Sequence, residues 1–169
     1  GRIGRMVARY GLAFGMRVIG YSRTLTPLRA RRLGVEPAAS VVELARSADV
    51  LTVHVPANPE SKGLISAEVL RALPDGAVFV NTARGDVVDQ QALLAEAKRG
   101  RIAVAADVFD GEPKGGEAEF RSELAALPNV YATPHIGAST DQAQEAIGEE
   151  AVRIVESFVR RGVVPNCVN

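Results

Sequence analysis

Residues 77–85 read Ala77-Val-Phe-Val-Asn-Thr-Ala-Arg-Gly85. An unbroken apolar run ends in polar residues, an arginine and a glycine. The run does not alternate and is too short for a helix, so it reads as a strand buried on both faces, the kind found in parallel sheets. The same design recurs in Arg17-Val-Ile-Gly-Tyr21, Val50-Leu-Thr-Val-His54, Ala103-Val-Ala-Ala-Asp107 and Val130-Tyr-Ala132. Several of these runs carry a polar residue at or just past the carboxyl end.

Helical patterns lie between the strands. Ile3, Met6, Val7, Tyr10 and Phe14 share one helical face, with Gly15 placed to stop it. Ser40-Val-Val-Glu43 has capping-box spacing. Asp89 can cap a helix carrying Leu93, Leu94 and Ala97 that ends at Gly100. A second capping box, Ser139-Thr-Asp-Gln142, opens the longest helix, with Ile147, Ala151, Ile154, Val155 and Phe158 on one stripe and Gly162 after it. Strands and helices in alternation predict an α/β fold, an open doubly wound parallel sheet of Rossmann type. The segment from Asp110 to Glu119, rich in Gly, Glu and Pro, reads as a loop. Such a fold opens on a central strand, whereas Gly1 leads directly into a helix. The expectation is a dinucleotide-binding domain over 1–139 whose first strand is missing from the chain.

The 169 residues suit one core. Twenty basic and twenty acidic side chains give zero net charge, which disfavours general electrostatic binding to nucleic acid. No apolar run approaches the length of a membrane span, and the N-terminus is not a signal peptide. The single cysteine, Cys167, allows neither an internal disulfide nor a zinc cluster. A cytoplasmic location is expected. His54 and His135 are the two histidines available to any mechanism that needs one.

Gly1-Arg-Ile-Gly4 matches the tail of a G-x-G-x-x-G turn. There one glycine lets backbone approach a pyrophosphate, and the last lets the helix pack on a strand. Alone the pattern is weak, but a helix and then a strand follow at the right spacing. An acid that binds the ribose is expected at that strand's end. The sequence has Tyr21-Ser-Arg-Thr24 instead. Ser22 does not repel a 2′-phosphate, and Arg23 can attract one. The alternative is a solvated turn with an incidental arginine.

Arg84, just past a strand end, has the planar fork that suits a carboxylate; otherwise it is a surface arginine paired with Asp86 or Asp89. Glu112 sits in Asp107-Val-Phe-Asp-Gly-Glu-Pro113 and, by itself, is a solvated loop carboxylate. His135 follows the last strand in Thr133-Pro-His-Ile-Gly137. A carboxylate beside it would orient the ring and favour the imidazolium. His54 ends a strand with no accompanying acid and reads as structural. Arginine, carboxylate and histidine beyond three strand ends describe a site that grips a carboxylate and moves a proton beside a dinucleotide. Oxidation of a 2-hydroxy acid needs those parts.

With these stretches in hand, the chain resembles the D-isomer-specific 2-hydroxyacid dehydrogenase family. The resemblance rests on Gly1-Arg-Ile-Gly4, Phe14-Gly-Met16, Val53-His-Val-Pro56, Lys62-Gly-Leu-Ile65, Val80-Asn-Thr-Ala-Arg-Gly85, Ala106-Asp-Val-Phe109 with Glu112-Pro113, and Thr133-Pro-His-Ile-Gly-Ala-Ser-Thr140. The run from His135 to Thr140 and the ending Val164-Pro-Asn-Cys-Val-Asn169 are most similar to the family's phosphoglycerate dehydrogenases. Tyr21-Ser-Arg-Thr24 instead resembles its NADPH-using glyoxylate and hydroxypyruvate reductases.

The resemblance implies that Arg84 binds the substrate carboxylate and that His135 is the general acid/base with Glu112 as its partner. It implies that Arg2 and Ile3 contact the pyrophosphate through the backbone, with Gly1 and Gly4 in the same cofactor-binding turn. Ser22, flanked by Arg23 and Thr24, stands in place of the ribose-binding acid. Val55, Pro56, Thr82, Ala83 and Asp107 would line the cofactor, Asp107 near the nicotinamide amide, with Gly137 and Ala138 in the same site. The implied cofactor is NAD or NADP. The implied partners are a small 2-hydroxy or 2-oxo acid and a second copy of the chain in a homodimer; no metal, nucleic acid or membrane is expected. Residues 140–169 would form a helix and tail leading back to a substrate domain. The rival reading is a dinucleotide-sensing module of the corepressor type, against which the loop at Phe120-Arg-Ser-Glu123 looks more like the dehydrogenases.

Overall fold

The computed structural model describes residues 1–113 and 120–167. The chain divides into two compact units, Gly1–Pro134 and His135–Asn169. In the first, helices and short strands alternate: α1 (Arg2–Ala13), β1 (Ile19–Gly20), α2 (Pro27–Leu33), β2 (Glu36–Pro37), α3 (Val41–Arg46), β3 (Val50–Val53), α4 (Ala67–Ala72), β4 (Val78–Asn81), a 3-10 turn (Gly85–Val87), α5 (Gln90–Lys98), β5 (Ala103–Ala106) and β6 (Val130–Ala132). The second holds α6 (Asp141–Arg161).

All strand pairings are parallel, as the apolar runs predict. The strands form two sheets, β1-β2 and β3-β4-β5-β6, with no ladder joining them among the described residues. The break between β1 and β3 agrees with the expectation of a doubly wound sheet that lacks its first strand. The first apolar run, Arg17 to Tyr21, contributes only Ile19–Gly20 to a strand, and its partner β2 is equally short. A two-residue ladder paired on one side has little to extend it. In the larger sheet the register is continuous. Val53 pairs with Asn81, Asn81 with Ala106, and Ala106 with Ala132. One row of residues therefore crosses the carboxyl ends of all four strands.

The core lies on this sheet. Phe79, Leu70, Leu73, Leu93, Ile102 and Val87 are fully buried, joined by Leu51, Val53, Val69 and Val104. Residues facing one side of β4 and β5 alternate with partly covered ones, so the apolar runs carry a period the sequence does not show. β6 departs from the buried-strand expectation: Tyr131 is 75% exposed, because β6 is the last strand of the sheet.

Helix starts follow side-chain chemistry. Thr26, Ser40, Ser66, Asp89 and Thr140 each accept a hydrogen bond from a backbone amide in the first turn. Ser40 takes the Glu43 amide at 3.0 Å, and the Glu43 carboxylate takes the Ala39 amide at 2.8 Å. At α6 the capping residue is Thr140, not Ser139. Its Oγ1 accepts from the Ala143 amide at 3.2 Å, so the helix begins one residue later than the Ser139-Gln142 spacing indicates. Gly34 and Gly162 end α2 and α6 in the left-handed conformation. The sequence reading missed α2, α4 and the 3-10 turn, all short and without an apolar stripe long enough to register. The apolar stripes of α1 and α6 do form helices, yet Ile3, Met6, Tyr10, Phe14, Ile147, Val155 and Phe158 remain exposed. Of the loop read from Asp110 to Glu119, residues 114–119 lie outside the described residues, as do 168 and 169 of the tail.

One buried ion pair ties three elements. Glu96 on α5, 4% exposed, accepts from Arg101 Nε at 2.6 Å. Arg101 continues through Nη2 to the Leu70 carbonyl at 2.6 Å and through Nη1 to the Leu73 carbonyl at the end of α4. A guanidinium thus closes the carboxyl end of one helix while neutralising a carboxylate inside the next. Arg99 also reaches Glu96, at 3.1 Å, but from a side chain 68% exposed. Arg101→Ala leaves Glu96 and two carbonyls short of partners and is expected to cost about 3–5 kcal/mol in chemical denaturation. Arg99→Ala is expected to cost under about 1 kcal/mol.

Candidate functional site

The first unit holds most of the expected site residues at the carboxyl ends of its strands. The loop after β4 is set by Asn81, which is 1% exposed. Its Oδ1 accepts from the Ala83 amide at 3.0 Å, and its Nδ2 donates to the Arg84 carbonyl at 2.9 Å. The side chain acts as a bracket that turns the backbone through Thr82 and Ala83. Thr82 and Arg84 are exposed on this turn, and Ala83 is buried. Arg84 Nη1 donates to the Ala83 carbonyl at 2.6 Å. It makes no ion pair among the described residues: Asp89 is engaged as the α5 cap. The surface-pair alternative for Arg84 therefore does not apply.

The next residue, Gly85, explains why a glycine follows the arginine. A Cβ built there would lie 2.2 Å from the carbonyl carbon and oxygen of Phe109 and 2.4 Å from the Asp110 amide nitrogen. Backbone presses on backbone, so the loops after β4 and β5 meet only because residue 85 has no side chain. The Gln90 amide holds the Gly85 carbonyl at 3.0 Å. From the other side, the Gly63 and Ile65 amides donate to the Asp86 and Val87 carbonyls, both at 2.9 Å.

After β5, Asp107 is 7% exposed. Its amide bonds the Asn81 carbonyl at 3.0 Å, and its Oδ1 accepts from Thr133 Oγ1 at 2.5 Å. The ends of β4, β5 and β6 are thereby joined across the sheet edge. Glu112 turns back on its own loop and accepts from the Phe109 amide, with Gly111 at φ +74 making the turn. The Phe109 ring packs against Phe120, ring centroids 6.0 Å apart.

On the other side, the Gly1-Gly4 segment opens α1. Of the α-helices, α1 has no side-chain cap and no acid in its first turn. A Cβ on Gly1 would meet nothing within 4 Å, whereas one on Gly4 would lie 3.4 Å from His54 Cβ. A helix start with no side-chain cap on its amides fits a dinucleotide pyrophosphate at Arg2 and Ile3. His54 is half-buried beneath Gly4, its Nε2 3.1 Å from Thr52 Oγ1. Burial holds its imidazole below its ordinary pKa. Val55 and Pro56 continue from it, the Pro56 carbonyl accepting from Ser61 Oγ at 2.5 Å.

Ser22, Arg23 and Thr24 form an exposed turn after β1. Ser22 Oγ accepts from the Thr24 amide at 3.3 Å, and the Ser22 carbonyl accepts from the Leu25 amide at 3.0 Å. Arg23 forms an ion pair with Glu60, a partner the sequence reading missed. No local pattern links positions 23 and 60; the loops after β1 and β3 bring them together.

In the second unit His135 is exposed and holds a left-handed backbone at φ 53, a conformation uncommon for a residue with a side chain. A turn follows through Gly137 and Ala138, closed by the Ser139 amide on the Ile136 carbonyl at 2.9 Å. Gln144 Nε2 reaches the Ala138 carbonyl at 3.3 Å. The tail returns along α6, where buried Ser157 donates to the Val163 carbonyl at 2.9 Å.

Residues 1–137 match the family model for the D-isomer specific 2-hydroxyacid dehydrogenase, NAD binding domain. The chain belongs to this family. It is 38% identical over 170 aligned residues to the D-3-phosphoglycerate dehydrogenase of Methanocaldococcus jannaschii, an alignment covering 100% of this chain and 32% of the relative. It superposes on the NADPH-dependent glyoxylate/hydroxypyruvate reductase of Sinorhizobium meliloti, solved with NADP and malonate, at TM-score 0.86 and 29% identity, over 98% of this chain and 49% of that one. It superposes on the D-lactate dehydrogenase of Aquifex aeolicus, solved with NAD and lactic acid, at TM-score 0.80 and 35% identity, over 95% and 51% of the two chains. The chain spans about a third to a half of the length of these relatives.

Two outcomes test this geometry. Gly85→Ala forces the loops after β4 and β5 apart. It is expected to cost about 3 kcal/mol or more, at or above the upper end of the usual overpacking range, because the neighbours are backbone atoms. Thermal unfolding reads that loss. His54 resists protonation in the folded state more than in the unfolded one. Its contribution to stability is therefore present above about pH 6.5 and is lost as pH falls through that value. Comparing unfolding free energies between pH 5 and 8 for wild type and His54→Gln should show a shallower acid limb in the variant.

Proposed function

We propose that the chain is the cofactor domain of an NAD(P)-dependent D-2-hydroxyacid dehydrogenase that interconverts a 2-hydroxy acid and the corresponding 2-oxo acid. The observation that carries this reading is the row Val53-Asn81-Ala106-Ala132, which brings the segments bearing Val55, Arg84, Glu112 and Thr133 to one edge of a parallel sheet. His135 follows that last strand end directly in the chain. The relatives' names give the substrate range: 3-phosphoglycerate, glyoxylate, hydroxypyruvate and lactate are its small acids.

Each residue has a task in this reading. The bound dinucleotide supplies a hydride acceptor or donor. Amides of the Gly1-Gly4 turn hold its pyrophosphate, Ser22 and Thr24 offer hydroxyls to the adenosine ribose, and Val55, Pro56, Thr82 and Ala83 line its path. Asp107, fixed by Thr133, holds the carboxamide end. Gly137 and Ala138 complete the lining beside His135. Arg84 binds the substrate carboxylate through its guanidinium. In oxidation His135 accepts the hydroxyl proton as the hydride leaves C2, and Glu112 stabilises the resulting imidazolium. In reduction His135 returns that proton to the nascent alkoxide. With Ser22 where an acid would repel a 2′-phosphate, the domain accepts NADP(H) as well as NAD(H). A homodimer in the cytoplasm is the assembly and location this reading carries.

In the whole protein, His135→Ala is expected to lower kcat by about 10²–10⁴-fold with cofactor affinity little changed. Arg84→Ala is expected chiefly to raise KM for the acid. Steady-state kinetics with glyoxylate, hydroxypyruvate and pyruvate, alongside NADH and NADPH titrations, separate the two. Turnover by His135→Ala near that of wild type would overturn the assignment.

A further inference from the structure

The Arg23–Glu60 pair lies at the strand end where the proposed function places the adenosine ribose. Both side chains are largely exposed, at 68% and 65%. Both are carried on backbone that is tied down. Glu60 belongs to a turn in which Asn58 Oδ1 accepts from the Glu60 amide at 3.0 Å and the Ser61 amide at 2.9 Å. Ser61 Oγ accepts from the Asn58 amide at 3.0 Å, closing that turn. Arg23 belongs to the Ser22–Leu25 turn, whose Thr24 carbonyl accepts from Arg29 Nη1 at 2.9 Å. The carboxylate is thus held in reach of the guanidinium by two independent loops.

We propose that Glu60 is a cofactor-selectivity residue, which occupies Arg23 and thereby withholds it from the 2′-phosphate of NADP(H). The inference rests on the reading of Ser22–Thr24 as the ribose turn. A cofactor with a free 2′-hydroxyl leaves the ion pair intact. A 2′-phosphate carries a charge near −2 and competes with Glu60 for the same guanidinium. When it wins, an unpaired carboxylate is left beside a dianion. The penalty falls on NADP(H) alone. Ser22 supplies no repulsion of its own, so discrimination at this turn is set by how far Glu60 neutralises Arg23. Because the pair is exposed, its effect is modest and weakens as salt rises.

The test uses two adenosine probes, 2′,5′-ADP and 5′-AMP, titrated calorimetrically into the whole protein. Their affinity ratio reads the 2′ position without turnover, and AMP affinity shows that the site remains folded. Glu60→Gln is expected to raise the ratio in favour of 2′,5′-ADP by about two- to fivefold at low salt. Arg23→Ala should lower it. In the Arg23→Ala background the Glu60→Gln gain should fall by more than half. Ser22→Asp, which brings an acid to the turn, should lower the ratio whatever Glu60 does. An unchanged ratio in Glu60→Gln, with Ser22→Asp still effective, overturns the role of Glu60 and keeps the ribose turn. A full gain without Arg23 shows direct repulsion and overturns the pairing. No response to Ser22→Asp, Arg23→Ala or Glu60→Gln shows that the 2′ position is read elsewhere, and the ribose reading falls with the inference.

Discussion

The parallel register of β3, β4, β5 and β6 is the constraint on which the site depends. Because Val53, Asn81, Ala106 and Ala132 pair in one row, each strand releases its loop at the same level. Parallel strands cannot reverse directly into one another, so every return runs over the outside of the sheet and every functional loop leaves from one edge. A slip of one residue in any pairing would turn that strand's side chains to the opposite face. Asn81 would then lose its bracket on the Ala83 amide and the Arg84 carbonyl.

Two kinds of contact convert this register into a site. The polar ones are short: Asn81 on its own loop and Glu112 on the Phe109 amide are local, and Thr133 on Asp107 joins two strand ends. The other is steric. Gly85 against Phe109 and Asp110 is the place where the absence of a side chain lets two loops close. Asn81 and Gly85 were visible in the sequence as part of a strand-end pattern, but their tasks were not. An asparagine at a strand end is also an ordinary turn residue, and only the coordinates show what a Cβ on residue 85 would strike.

The electrostatic arrangement follows the same division. Helix caps are local, and Thr26, Ser40, Ser66 and Asp89 each serve an amide of the first turn. α1 departs from that habit, with no side-chain cap on its first turn. Arg101 with the Leu70 and Leu73 carbonyls, and Arg23 with Glu60, are partnerships across the fold between residues far apart in sequence. The first is buried and holds helices together. The second is exposed and bears on what the site selects.

What the sequence by itself determined is the class of fold, and it supplied the candidates for the site. Apolar runs without alternation dictate buried parallel strands, because only a sheet covered on both faces removes such runs from water. The side chains proposed to carry the chemistry, Arg84, Glu112 and His135, stand out in the sequence because each follows one of those runs. Tertiary structure decided what depends on distance. It moved the α6 cap from Ser139 to Thr140, left the stripes of α1 and α6 exposed, and paired Arg23 with Glu60. Periodicity reports which residues share a face, but what lies against that face, or at the tip of a guanidinium, is set by chain segments distant in sequence.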